Sequence, residues 1–167
     1  MSQSIINQLE AALGDTLQLL SSFSEQEINT VPFEGSWTAA QVCRHLFKSE
    51  DGMDQLFSAP ATLANRDPEE RAPEYKSILM DYEKKMQSPD FLIPEDKDFE
   101  KRRLENDLET TKEKVMEAVS GTNLNEVPPL QKGHPLEGST KLELIHFLAY
   151  HTTRHNHQLK KIKEKLQ

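Results

Sequence analysis

Two histidines four residues apart, His151 and His155, stand within a run of apolar residues that includes Ile145, Leu148, Leu159, Ile162 and Leu166. The three- and four-residue spacing of that run is the buried stripe of an amphipathic helix, and His155 falls inside it. At 3.6 residues per turn a four-residue step brings a side chain back to within about 40° of its start, so both imidazoles point the same way, one turn apart. Two imidazoles on one inward face can share a cation. A single core histidine reads more simply as a polar group with one hydrogen-bond partner. A pair is harder to read that way, because two unpaired imidazoles in a core are costly.

A third histidine, His45, borders the apolar face that Ala39, Val42, Leu46, Met53 and Phe57 present on an earlier helix. Three neutral imidazoles with no fourth protein ligand describe a catalytic zinc site rather than a closed structural one. Nickel or iron suits the same donors. An open position lets the metal lower the pKa of a bound water or thiol. Thr152 stands where H-E-x-x-H would carry its glutamate, which excludes the corresponding peptidase chemistry. His146 and His157 are expected to face away from the pair. His134 precedes a proline in a loop, and reads either as an overhang above the site or as a plain surface residue. Gln41 and Ser49 can orient His45 or serve as ordinary boundary polars. Cys43 reads as a small buried hydrophobe.

The elements that must position these groups are helical. A first helix is expected over about residues 4–22, from the stripe Ile6, Leu9, Leu13, Leu17 and Leu20. Pro32 and Gly35 break the pattern, and Ser36 offers a cap for a second helix over about 37–57, with Trp37 plugging its end. Prolines at 60, 68, 73, 89 and 94 mark a long crossover with one short helix, about 73–86. A crossover this long permits consecutive main helices to run parallel. A third main helix is expected over about 98–120, ending at Gly121, and the last over about 139–166, opened by a Thr140–Glu143 capping box.

Composition agrees. The 167 residues suffice for one domain, 1–167, with a sizeable core. Only 6 glycines and no sustained alternation favour an all-α fold. Acidic residues outnumber basic ones, 28 against 20, for a net charge of −8, which argues against nucleic-acid binding. The lysines at 160, 161, 163 and 165 complement the dipole of the last helix. With one cysteine, no leader-like N-terminus and no apolar run near the about 18 residues of a membrane span, a cytoplasmic protein without a membrane anchor is expected.

The run from Ser36-Trp37-Thr38-Ala39 to His45-Leu46 resembles the DinB-like superfamily, as do Ser88-Pro89-Asp90-Phe91-Leu92-Ile93-Pro94, His134-Pro135-Leu136-Glu137-Gly138-Ser139-Thr140 and His151-Thr152-Thr153-Arg154-His155. The order and spacing of these segments are more specific than any one of them. The resemblance implies a four-helix bundle with up-down-down-up topology, a homodimer, and a divalent metal, zinc or nickel, held at the positions of His45, His151 and His155. Relatives include S-transferases that use bacillithiol, mycothiol or glutathione, and related isomerases. The function expected is therefore a metal-dependent thiol S-transferase joining a low-molecular-weight thiol to an electrophilic small molecule. The alternatives are a non-catalytic metal- or ligand-binding stress-response module, and an empty site with structural histidines.

Overall fold

The computed structural model describes residues 2–167. Its long helices are α1 (Ser2–Ser22), α3 (Ala39–Glu50), α6 (Lys101–Ser120) and α7 (Lys141–Leu166). Between them lie the short helices α2 (Glu25–Ile28), α4 (Met53–Ser58) and α5 (Ala72–Leu79), and a 3-10 turn at Asp90–Leu92. Two-residue strands β1 (Thr62–Leu63) and β2 (Glu126–Val127) pair antiparallel, Thr62 opposite Val127. The fold is thus mostly helical, as the composition implied. No helix among the described residues is long and apolar enough to cross a membrane.

Local sequence sets the helix starts. Capping boxes open α2 at Ser24 with Glu27, α3 at Thr38 with Gln41, and α7 at Thr140 with Glu143. In each, the side chains answer backbone N–H groups that have no partner within the helix. The α7 box matches the expectation, whereas α3 is capped by Thr38 and not by Ser36. The helix expected over 37–57 is broken at Asp51 and Gly52, where Gly52 takes φ 88° and restarts the chain as α4. That left-handed conformation suits a residue without Cβ. The helix expected over 73–86 ends at Leu79, because the Arg154 guanidinium takes up the carbonyls of Leu79, Asp81 and Lys84.

α7 packs along α1 and against α3 and α5, while α6 packs against α1, α3 and α4. The apolar interior falls into two clusters. One joins Ile5, Leu9 and Leu13 of α1 to Val115 and Val119 of α6 and to α7 as far as Tyr150. The other joins Leu20, the face of α3 from Ala39 to Leu46, Leu104 and Leu108 of α6, and Leu159 and Ile162 of α7. Between them each long helix contributes buried polar groups: Thr16, Glu50, Thr111, Thr152 and Asn156. Thr16 Oγ1 donates to Asn156 Oδ1 at 2.6 Å, and Asn156 Nδ2 donates to the Ala12 carbonyl at 2.9 Å. The histidines sit at the level of this polar belt.

Candidate metal centre

α3 delivers His45 and α7 delivers His151 and His155 to one point. One ring nitrogen from each lies within 4.8 Å of the other two. His45 Nε2 is 3.2 Å from His151 Nε2, and the His155 ring centroid lies 4.5 Å from that of His45 and 4.6 Å from that of His151. His45 and His151 are buried and His155 is half-buried.

The outer nitrogens decide what the inner ones can do. His45 Nδ1–H donates to the Leu92 carbonyl at 2.9 Å, and His155 Nδ1–H donates to Gln158 Oε1 at 2.8 Å. A neutral ring whose Nδ1 carries the proton has its lone pair on Nε2. Burial disfavours the charged form of all three rings. It holds His151 well below the ordinary histidine pKa, with the neighbouring histidines and Arg154 adding to the effect, and pushes His155 down to about 3. His45 is lowered by burial too, against the opposing pull of its Leu92 bond. The donor set is therefore neutral and ready at ordinary pH.

These residues fit a divalent ion. Tetrahedral zinc with Zn–N bonds of 2.0–2.1 Å sets its ligand nitrogens about 3.3 Å apart, close to the observed His45–His151 separation. His151 Nδ1 is buried with no hydrogen-bond partner, the one such side-chain atom among the described residues. An unmet buried polar group costs about 1–3 kcal/mol, and ligation through the ring's other nitrogen supplies a compensating interaction. Aromatic rings flank the site: Trp37 lies 5.2 Å from His45, and Phe147 stacks on His151 at 5.4 Å.

The remaining candidates fall elsewhere. His146 bonds Glu69 at 2.8 Å and Tyr150 at 3.0 Å, and His157 stacks on Tyr82, so both face away as expected. His134 is half-buried, accepts the Leu136 amide on Nδ1, and lies 6.1 Å from the Phe91 ring. Cys43 is fully buried, and burial raises its thiol pKa to about 12, with Glu50 adding to the shift. Ser49 Oγ donates to its own helix at the His45 carbonyl, and Gln41 serves the α3 cap and the Glu95 carbonyl; neither orients His45. That part belongs to Leu92, whose carbonyl no side-chain pattern marks; Gln158 orients His155 instead, and its spacing three residues on was the available signal.

The sequence profile of the DinB superfamily matches residues 8–159. A similar curated protein is the uncharacterized protein YuaE of Bacillus subtilis (strain 168), 24% identical over 153 residues that span 92% of this chain and 93% of YuaE. No solved structure gives a significant match.

Proposed function

The chain belongs to the DinB superfamily, and on that premise we propose that it is a metal-dependent thiol S-transferase whose divalent ion, zinc or nickel, is held by His45, His151 and His155. The observation that carries this reading is the approach of the three imidazole nitrogens to within 4.8 Å, with no carboxylate or thiolate among the described residues completing the group. A divalent ion there would supply the positive charge that lets a low-molecular-weight thiol lose its proton near neutrality. In the transfer the sulfur forms a bond to an electrophilic carbon: where a leaving group departs with the bonding pair the thiol proton passes to solvent, and where an epoxide opens its alkoxide oxygen takes a proton from solvent in return. Leu92 and Gln158 hold two of the three rings in the ligating tautomer. Trp37 and Phe147 keep bulk water from the sides of the site.

In the same reading α1, α3, α6 and α7 form an up-down-down-up four-helix bundle, 1–167 is a single cytoplasmic domain, and two copies pair as a homodimer. The packing of α1 and of α3 against both α6 and α7 supports the bundle; light scattering tests the dimer. For the activity, tag-free protein is assayed by elemental analysis and then with bacillithiol, mycothiol, glutathione and cysteine against an aryl halide and an epoxide. Near-stoichiometric metal with metal-dependent conjugation by at least one pair is expected. Retained metal with no turnover across the set would sink the transferase.

That second outcome would favour a non-catalytic metal- or ligand-binding module. The observation on its side is that the outer hydrogen bonds of the trio go to an amide and a carbonyl, with no acid or base among them.

A further inference from the structure

The connection between α5 and α6, residues 80–100, forms a strap tied at both ends. At one end Arg154 of α7 binds the carbonyls of Leu79, Asp81 and Lys84, and the Tyr82 ring stacks on His157 at 4.0 Å. At the other, Glu95 pairs with Arg44 at 3.0 Å and Lys48 at 2.6 Å, Lys48 donates to the Ile93 carbonyl at 2.9 Å, and Gln41 reaches the Glu95 carbonyl. Between these ties the 3-10 turn presents the Leu92 carbonyl to His45 Nδ1, with Ser88 Oγ 3.5 Å from the same atom. The strap is thus fastened to α3 and α7, the two helices that supply the histidines, and its shortest contact with the trio is a backbone acceptor, the Leu92 carbonyl.

We propose that this strap is a positioning element linked to metal occupancy: the Leu92 carbonyl keeps the proton of His45 on Nδ1 and the Nε2 lone pair free, so strap docking and ion binding reinforce each other. The inference rests on the three-histidine reading. Which imidazole nitrogen carries the proton is set by the bond the other makes. With the strap lifted, His45 loses its acceptor and is free to rotate or to move its proton to Nε2, which ends ligation by that atom. Linkage is reciprocal: whatever factor the docked strap adds to ion affinity, the ion adds to strap docking. Leu92 acts through its main chain and so cannot be probed by truncating its side chain; the tie at Glu95 can be.

The experiment has two parts. Amide hydrogen exchange over residues 84–95 is measured in the full chain with and without one equivalent of Zn(II), and Zn(II) affinity is measured by chelator competition for the wild type and Glu95→Gln. Circular dichroism confirms that the variant folds. Zinc is expected to slow exchange in the strap by about tenfold or more, and Glu95→Gln to weaken zinc binding by about tenfold, the lower end of the range for partners outside the ligand shell. Exchange indifferent to zinc overturns the linkage, as does a variant whose strap exchanges faster while its zinc affinity is unchanged. If Glu95→Gln leaves the strap as tight, the wild-type exchange measurement decides. Zinc that binds the wild type and not His151→Leu, with a strap indifferent to it, removes the linkage and keeps the metal centre; a wild type that takes up no zinc removes both.

Discussion

α7 carries two buried polar clusters built to opposite rules. At its N-terminal end Glu143 is fully buried and over-supplied with donors: Arg66 at 2.7 and 2.8 Å and the amides of Arg71 and Thr140 at 2.7 and 2.9 Å. Burial alone would push its carboxyl up; the Arg66 guanidinium and the two amides outweigh that and hold it below the usual range. Eight and twelve residues on, His151 and His155 gather with His45, the Nε2 atoms of His45 and His151 lying 3.2 Å apart, and His151 Nδ1 has no partner. Polar groups that secure the chain are saturated by it. At the mid-helix site the inner nitrogens of His45 and His151 meet only each other, with the His155 ring alongside, and the metal reading rests on that contrast.

The contrast can be broken at either cluster, and the expected effects on folding descend in size. Removing the saturated anion with Glu143→Ala strands Arg66 and two amides, and is expected to destabilise by about 3–5 kcal/mol in denaturant titration. A loss below 1 kcal/mol would mean the cluster is ornamental. Glu50, in the polar belt, is an intermediate case: it is buried with a single 3.3 Å bond from Thr152, and burial raises its pKa from 4.5 to about 8. A folded-state pKa above the unfolded one means the contribution is fully present below about pH 4.5 and is lost as pH rises toward 8. Glu50→Gln should therefore flatten that decline, leaving the protein more stable than wild type by on the order of 3 kcal/mol at pH 8. An unchanged pH profile would show that the carboxyl reaches water. Smallest in stability is His151→Leu. Replacing an unsatisfied polar ring by an apolar side chain should shift the metal-free protein by less than about 1 kcal/mol, while metal affinity falls more than about a hundredfold, past the effect of outer partners. Weak metal loss with a large stability loss would make His151 structural.

Much of this was legible in the amino-acid order because it repeats. The α1 stripe, the α7 stripe, the His151–His155 spacing and the Thr140–Glu143 box all follow from helical periodicity. His45 was reached from its place beside Leu46. What escaped has no period. The break at Gly52 is a single backbone conformation, and the early end of α5 depends on Arg154, more than seventy residues away. Glu143 was readable as a capping residue, but its pairing with Arg66 across 77 positions was not. The acceptor for His45 is a carbonyl in the proline-marked crossover, and carbonyls are the same in every residue. Side chain to backbone contacts over such separations leave no trace in composition or spacing.

The belt of Thr16, Glu50, Thr111, Thr152 and Asn156 has a consequence for how the molecule melts. It parts the apolar interior into two clusters joined through α1, α6 and α7. Because each half packs within its own cluster, melting of the metal-free protein should be loosely coupled between them, with a van't Hoff enthalpy below the calorimetric one. An ion at the trio would rivet the halves at their seam, and its addition should sharpen the calorimetric peak as well as move it.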